Sequence, residues 1–256
     1  MRRIFHRVAL LYVVASASVL LRELFLRHPA EQPELYSLHY RASLLGACLG
    51  WAGLALVCYI RLIRAKAGKG NGLRGPLELC ETCQEPVHER SIHCPYCRQC
   101  TLGMRAHCIW TSSCVGLRNY KYALLLLFYS SLSGAVFCYA AARYIWGEAP
   151  DYLEHGVWKW LGYLHLAAVV GLWTNVVILF CTYILLLVNN MSMLDLRNGQ
   201  LPALSLCNWG AESSDYDLGA LANLRNALGS EVLWWLLPTE PCLAPVEAVL
   251  PRCPSS

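Results

Sequence analysis

The stretch from Cys80 to Cys114 constrains the fold of this chain more than any other part of the sequence. Its 35 residues contain seven of the protein's fourteen cysteines, together with His93 and His107. Zn²⁺ is bound tetrahedrally by four thiolates and imidazoles, and a Cys-x2-Cys pair presents two thiolates to one ion with little strain. Two zinc ions need eight ligands, so the sequence predicts two zinc sites and one thiol left over. The nine candidates are Cys80, Cys83, His93, Cys94, Cys97, Cys100, His107, Cys108 and Cys114.

This stretch resembles the cysteine-rich domain of the DHHC protein S-acyltransferases, also called palmitoyltransferases. The family pattern runs Cys-x2-Cys, His-Cys-x2-Cys-x2-Cys, Asp-His-His-Cys and Cys-x4-Asn, and Trp110 and residues 115–120 match it as well. The resemblance implies that Cys108 is the nucleophile that accepts the acyl group. It also implies the two ligand sets, which are Cys80, Cys83, His93 and Cys100 for one zinc and Cys94, Cys97, His107 and Cys114 for the other.

The motif that names the family is altered in this chain. At the positions of Asp-His-His-Cys it has Arg105, Ala106, His107 and Cys108. In the family the first His is the general base, the Asp orients it and the second His binds zinc. Arg105 and Ala106 therefore stand where the Asp and the base are missing, and His88 is the only other nearby imidazole without an assigned role. Arg105 would favour the thiolate of Cys108 through its charge, but it cannot accept a proton.

The composition is that of a membrane protein, with 56% hydrophobic and 15% charged residues and a mean hydropathy of +0.38. Uncharged runs at 42–60, 122–142 and 161–194 are close to or above the roughly 20 apolar residues that cross a bilayer. We predict an all-α polytopic membrane protein with four transmembrane helices and a cytosolic cysteine-rich domain, binding two zinc ions, between spans 2 and 3. The predicted boundaries are span 1 at 1–26, a lumenal loop at 27–41, span 2 at 42–63, the cytosolic domain at 64–121, span 3 at 122–143, a lumenal loop at 144–160, span 4 at 161–189 and a cytosolic C-terminal region at 190–256.

The first apolar segment has two interpretations. Met1-Arg2-Arg3 and the small residues Ala15-Ser16-Ala17 fit a cleaved signal peptide. An uncleaved anchor reaching Leu26 fits the same residues if Arg22 and Glu23 lie at the membrane interface. The anchor is favoured because it accounts for the apolar run and its charged flank without cleavage.

The distribution of basic residues predicts the orientation. Ten Lys and Arg residues lie between 61 and 121, against two in the loop at 27–41. Cytosolic loops carry the excess of Lys and Arg, so the cysteine-rich domain and both termini are predicted to be cytosolic. Disulfides are disfavoured there because the cytosol is reducing. The family implies an endomembrane such as the Golgi or the endoplasmic reticulum.

Two segments after the fourth span extend the resemblance. Ser192, Met193 and Asp195 are a degenerate version of the family's Thr-Thr-x-Glu, which ties the catalytic domain to the membrane helices. The segment 216–229 resembles the family's Tyr-x-Leu-Gly-x3-Asn-x4-Leu-Gly, whose Asn makes a structural polar contact with a membrane helix. The resemblance implies this role for Asn223. The apolar segment 232–237 is too short to span and fits either an interfacial amphipathic position or packing against the membrane helices.

The resemblance implies a palmitoyltransferase that uses a long-chain acyl-CoA such as palmitoyl-CoA and forms a Cys108 acyl-enzyme. Its implied partners are the lipid bilayer and protein substrates with cytosolic cysteines close to the membrane, and both zinc ions would be structural. The alternative is a non-catalytic relative that acts as a membrane scaffold or binds acyl-CoA without turnover. A nucleic-acid-binding zinc module is disfavoured, because predicted spans flank the domain and its basic residues are interleaved with glutamates.

Overall fold

The computed structural model describes residues 38–68, 77–147, 157–192, 195 and 216–240. The predicted first span at 1–26 lies outside these residues. So do most of the two predicted lumenal loops and the last sixteen residues.

Three long helices form the apolar part of the described chain. They are α1 (Leu38–Arg64), α2 (Tyr120–Gly147) and α3 (Val157–Val188). Each contains a stretch long and apolar enough to cross a membrane, namely Ala42–Arg64, Tyr120–Ala142 and Trp160–Val188. These stretches overlap the predicted spans 2, 3 and 4, and they make the chain an integral membrane protein.

The cysteine-rich region between α1 and α2 is built from three antiparallel hairpins. The strands are β1 (Leu77–Leu79), β2 (Pro86–His88), β3 (Ser91–Cys94), β4 (Gln99–Leu102), β5 (Ala106–Cys108) and β6 (Ser113–Val115). They pair as β1–β2, β3–β4 and β5–β6. The all-α prediction is therefore wrong for this region. Strands of three or four residues are too short to show the alternation of apolar and polar residues on which a strand prediction depends.

Within 216–240, two short elements follow the third long helix. They are α4 (Ala220–Leu228) and a 3-10 helix (Val232–Trp234). The buried Lys121 donates hydrogen bonds from Nζ to Trp234 O at 2.9 Å and Thr239 Oγ1 at 3.0 Å, which holds this segment to the start of α2. Leu233 remains 89% exposed. Trp235 of the same segment packs against the core formed by the helix ends, so the segment combines exposed apolar side chains with packing against the helices.

The described residues divide into two compact units, those up to residue 53 with those from 129 to 177, and those from 54 to 128 with those from 178 onward. The second unit contains the hairpins, α4 and the adjoining ends of the long helices. Its larger apolar core joins the β5–β6 hairpin to α4 and the helix ends, and Leu62, Val115, Tyr120, Leu187 and Leu228 are among its buried members. A second, smaller core lies within the cysteine-rich domain and includes Ile92 and Met104. The β5–β6 hairpin therefore shares one core with the ends of α1, α2 and α3.

In the first unit, α2 and α3 meet closely where α2 has a glycine. Trp173 of α3 donates a hydrogen bond from Nε1 to Ser131 O at 2.9 Å. Its ring lies so near Gly134 that a Cβ added there would be 2.5 Å from Trp173 Cδ1. Only a glycine permits this approach of the indole to the helix backbone.

We predict that Gly134→Ala destabilises the protein by about 1–3 kcal/mol, because the added methyl group overpacks the site against Trp173. Gly171→Ala in α3 is the matched control, since an added Cβ there has no neighbour within 4 Å. Thermal unfolding of both variants in detergent measures the difference. Equal melting temperatures for the two variants would show that the contact does not limit packing.

Candidate metal centres and the thiol beside them

The first Cys/His cluster contains Cys80, Cys83, His93 and Cys100. Their ligand atoms all lie within 4.8 Å of one another. His93 Nδ1 is 3.2 Å from Cys83 Sγ and 3.8 Å from Cys100 Sγ. Cys80 and Cys83 lie in the turn between β1 and β2. Gln84 adopts the left-handed conformation there, with a φ of 56°, and its N–H donates to Cys80 O at 2.8 Å.

The second cluster contains Cys94, Cys97, His107 and Cys114, again within 4.8 Å of one another. His107 Nδ1 lies 3.5 Å from Cys94 Sγ and 3.4 Å from Cys97 Sγ. Its turn repeats the first one, because Arg98 has a φ of 53° and its N–H donates to Cys94 O at 2.8 Å. The structure thus brings together the same two sets of four residues that the family resemblance implied.

The spacing of these atoms suits a tetrahedral zinc ion. Zn–S bonds of about 2.3 Å and Zn–N bonds of about 2.0–2.1 Å at tetrahedral angles separate neighbouring ligand atoms by about 3.5–3.8 Å. In the first cluster, Cys83 Sγ and Cys100 Sγ are 3.7 Å apart. The distances from His107 to the second cluster's sulfurs run from 3.4 to 4.0 Å. Both clusters have the donor set and the dimensions of a structural site with four protein ligands.

Strand alternation explains how the two clusters interleave. His93 and Cys94 are neighbours in β3, and successive side chains of a strand point to opposite faces. His93 therefore serves the first cluster and Cys94 the second. Each histidine also lies directly opposite a cysteine of its own cluster, since the registers pair His93 with Cys100 and His107 with Cys114.

The metal-free thiols of the two clusters differ in their affinity for protons. Burial, reinforced by the neighbouring sulfurs of the cluster, raises the pKa of Cys100 to about 12. Burial likewise raises the pKa of Cys114 to about 12. A hydrogen bond from the Cys83 N–H lowers the pKa of Cys80. A metal ion must displace the protons of Cys100 and Cys114 at neutral pH, so metal affinity falls as the pH is lowered.

Cys108 lies outside both clusters although it follows the ligand His107. The alternation of β5 places its side chain on the opposite face from that of His107. The thiol is half-buried and packs against the apolar core that joins the β5–β6 hairpin to the membrane helices. Ile109 and Trp110, which come next, are about half exposed. Cys108 therefore sits beside the ends of apolar helices and next to exposed apolar side chains.

Ala106 shares the face of β5 that carries Cys108. Residues i and i+2 of a strand lie on one face, so position 106 is the nearest position in this strand from which a side chain can reach the thiol. A methyl group occupies that position here. His88 is fully buried in β2, where its Nδ1 accepts a hydrogen bond from the Arg90 N–H at 3.2 Å. Burial lowers the pKa of His88, so its imidazole is neutral at pH 7.

Arg105 is buried and directed at the C-terminal end of α3. Its guanidinium donates to Leu186 O at 3.3 Å and to Asn190 Oδ1 at 3.5 Å, and it lies over the ring of Tyr120 at 5.2 Å. Burial lowers the pKa of Arg105, but an arginine remains charged at neutral pH. These contacts commit its charge to acceptors on the helix.

A second buried arginine contacts the same helix end. Arg90 donates to Asn190 O at 2.7 Å, lies 3.8 Å from a carboxylate oxygen of Asp195 and covers the ring of Tyr216 at 4.1 Å. Burial, reinforced by the charge of Arg105, lowers its pKa to about 10, which leaves it charged at pH 7. Asp195 also accepts the Ser192 N–H, and its own N–H donates to Ser192 Oγ at 3.4 Å. The degenerate Ser-x2-Asp segment therefore connects to the cysteine-rich domain through Arg90.

Asn223 of α4 holds the last carbonyl group of α3. Its Nδ2 donates to Val188 O at 2.6 Å and to Asp217 Oδ1 at 2.7 Å, while its Oδ1 accepts the Leu218 N–H. The side chain is 2% exposed. Asn223 thus makes a polar contact with a membrane helix, as in the role that the family resemblance implied.

Sequence reasoning missed Arg90 and Asn190. Arg90 counted only as one basic residue of the domain, and Asn190 only as the first residue after the predicted fourth span. Asn190 has a φ of 46°, and the bonds from Asn190 N to Leu187 O and from Met191 N to Leu186 O close α3 with a Schellman motif. An asparagine directly after a long apolar helix is the available signal for such a helix end.

Three candidate membrane spans and a hairpin domain with two four-ligand Cys/His clusters define a membrane protein with a metal-binding domain. Residues 74–199 match the family described as DHHC palmitoyltransferase. This part of the chain is a domain of the DHHC palmitoyltransferase family.

Named relatives agree with this assignment. Probable protein S-acyltransferase 12 of Arabidopsis thaliana is 30% identical over 189 residues, which are 69% of this chain and 58% of the relative. Palmitoyltransferase ZDHHC15 of Homo sapiens is 29% identical over 169 residues, 64% of this chain and 47% of the relative. Palmitoyltransferase pfa3 of Emericella nidulans is 46% identical over 74 residues, 29% of this chain and 14% of the relative. The matched regions span between about one seventh and three fifths of the length of these relatives.

We predict that Cys94→Ser removes metal from the second cluster and lowers the melting temperature, because the binding energy of a structural metal is largely folding energy. Cys108→Ser is the matched control and keeps the full metal content, since Cys108 is a member of neither cluster. Metal analysis of the purified proteins with thermal unfolding measures both effects. Loss of an ion from Cys108→Ser would contradict this division of the thiols.

Proposed function

We propose that this chain is a protein S-acyltransferase whose acyl-accepting nucleophile is Cys108 and whose donor is a long-chain acyl-CoA such as palmitoyl-CoA. The observation that carries the proposal is the position of Cys108. Its thiol lies in the β5–β6 hairpin, which contributes His107 and Cys114 to the second Cys/His cluster. Cys108 belongs to neither cluster, and it packs beside the ends of three apolar helices. Membership of the family and the names of the relatives support the same chemistry.

In the proposed reaction the thiolate of Cys108 attacks the carbonyl carbon of the acyl-CoA thioester. A new thioester forms on Cys108, the bond to the CoA sulfur breaks, and CoA leaves as a thiolate that takes up a proton. The thiolate of a substrate protein's cysteine then attacks the acyl-enzyme, and Cys108 is released. Apolar residues at the helix ends would hold the acyl chain while the CoA head group stays in water.

Two Zn²⁺ ions would have a structural role in this enzyme. Cys80, Cys83, His93 and Cys100 would hold one ion, and Cys94, Cys97, His107 and Cys114 the other. Each cluster supplies four protein ligands, which leaves no coordination position for water or substrate. Bound zinc would fix the hairpins, and through His107 it would fix the strand that carries Cys108.

The missing base limits the proposed rate. Ala106 has no group that accepts a proton, so the side chain at this position cannot act as a general base for Cys108. Loss of a general base costs on the order of 10²–10⁴ in rate. The proton of Cys108 would therefore pass to water or buffer, and acylation would be slow and faster at higher pH.

A non-catalytic role is the second candidate. The same Ala106 favours it, together with the commitment of Arg105 to α3. In that case the protein keeps the fold and metal clusters of the family and serves as a membrane scaffold or binds acyl-CoA without turnover. The labelling experiment below separates the two functions.

The proposed cellular setting is an endomembrane, with the cysteine-rich domain facing the cytosol. The protein would have four spans with the cysteine-rich domain and both termini in the cytosol, in the Golgi or the endoplasmic reticulum. Its substrates would be proteins with cytosolic cysteines close to the membrane. The basic residues between 61 and 121 support the orientation through the positive-inside rule.

We predict that the full chain in lipid nanodiscs labels itself with a fluorescent long-chain acyl-CoA through a hydroxylamine-sensitive bond. Cys108→Ala abolishes the label, whereas Cys181→Ala, which removes an exposed thiol of α3, leaves it unchanged. In-gel fluorescence before and after hydroxylamine measures the result. A wild-type chain that takes up no label at any pH would establish the non-catalytic function instead.

We predict that Ala106→His raises the rate of this labelling by about 10²-fold, the lower end of the effect of a general base, because position 106 shares a strand face with Cys108. Ala106→Phe is the control, since it adds a ring without a proton acceptor. Initial rates as a function of pH measure the gain. Equal rates for the His and Phe variants would mean that the added imidazole does not reach the thiol.

A further inference from the structure

We propose that Arg105 is a positioning residue that fastens the Cys108 strand to the C-terminal end of α3. It would not activate the thiol by its charge. This role deepens the proposed acyl transfer, because it concerns how the nucleophile is held against the membrane helices. It assigns a function to the residue that stands where the family has an aspartate.

The contacts of Arg105 are those of a buried helix cap. The side chain is 5% exposed, and its two terminal nitrogens reach different acceptors, Leu186 O in the last turn of α3 and Asn190 Oδ1 two residues after the helix. Both acceptors lie in the Schellman turn that ends the helix. The planar guanidinium suits such a site, because its donors point in fixed directions and can satisfy two acceptors at once.

The electrostatics of the site favour a cation. The C-terminal end of a helix carries partial negative charge on its free carbonyl groups, roughly half an elementary charge. Arg90 contributes a second cation at the same helix end, where it is offset by the carboxylate of Asp195. Arg105 therefore finds its electrostatic partners on α3. An aspartate at position 105 has no donor to offer Leu186 O or Asn190 Oδ1.

The backbone connects this cap to Cys108 over three residues. The Arg105 N–H donates to Val115 O at 2.9 Å, which continues the pairing of β5 with β6. His107, between Arg105 and Cys108, belongs to the second metal cluster. The strand is thus held at two points, by the second Cys/His cluster at His107 and by the end of α3 at Arg105. Removing the contact of Arg105 would free the strand to shift relative to the membrane helices while the Cys/His cluster stays intact.

Two alkylating reagents separate positioning from activation. One is iodoacetamide, which reaches Cys108 from water, and the other is a maleimide on a long alkyl chain dissolved in the nanodisc bilayer. In Arg105→Gln we expect the rate with the alkyl maleimide at Cys108 to fall by about 10-fold or more, since a displacement of about 1 Å can cost 10²-fold. The rate with iodoacetamide should stay within about twofold of wild type. Mass spectrometry of the Cys108 peptide measures both rates.

Activation by charge gives the opposite pattern. Both rates would then fall together, the pH profile of the iodoacetamide reaction would move to higher pH, and Arg105→Lys would behave as wild type. This outcome overturns the proposal, as does a variant with neither rate changed. If Arg105 acts by positioning, Arg105→Lys reacts with the alkyl maleimide at a rate between those of Arg105→Gln and wild type, because an ammonium group does not span both acceptors. Arg118→Gln, at an exposed arginine of the same domain, is the matched control and should change neither rate.

Metal content is measured for every variant, and Arg105→Lys supplies the test if Arg105→Gln loses its metal. The alkyl maleimide needs no acyl transfer, so a failure of acyl-CoA labelling would overturn the proposed function without deciding the role of Arg105.

As a last test, Arg105→Asp is added to Ala106→His. We expect the double variant to label with acyl-CoA more slowly than Ala106→His alone. A faster double variant would overturn the positioning role.

Discussion

The C-terminal end of α3 is the point on which the second unit depends. The carbonyl groups of Leu186, Val188 and Asn190 each accept a hydrogen bond from a buried side chain of another element. The donors come from the cysteine-rich domain, as Arg105 and Arg90, and from α4, as Asn223. A helix end leaves its last carbonyl groups without intrahelical partners, so these donors both satisfy the helix and join three parts of the chain.

The period of two in a β-strand supplies the second constraint. In β3 it allows adjacent residues to serve different metal clusters, and in β5 it separates Cys108 from the ligand before it. Cys108 can therefore follow His107 directly in the sequence without being a member of the Cys/His cluster itself. The same period makes position 106 the neighbour of Cys108, which is why an alanine there bears directly on the chemistry.

The changes at positions 105 and 106 differ in kind. Ala106 removes a group and leaves a small apolar side chain next to the thiol. Arg105 puts a buried cation where the family has an aspartate, and this cation contacts a helix end and an aromatic ring. The structure therefore explains Arg105 by its contacts with α3, whereas nothing in the structure explains the choice of alanine at position 106.

The sequence by itself determined the apolar spans that correspond to α1, α2 and α3, and the Cys/His pattern of the metal clusters. Both signals are local, since one is a run of apolar residues and the other a set of fixed spacings. Only the tertiary structure decided that Arg90, Arg105 and Asn223 converge on the end of α3. These residues are separated by as many as 133 positions from Arg90 to Asn223. Spacing cannot reveal such a meeting, because it depends on how the hairpins and α4 pack on one helix.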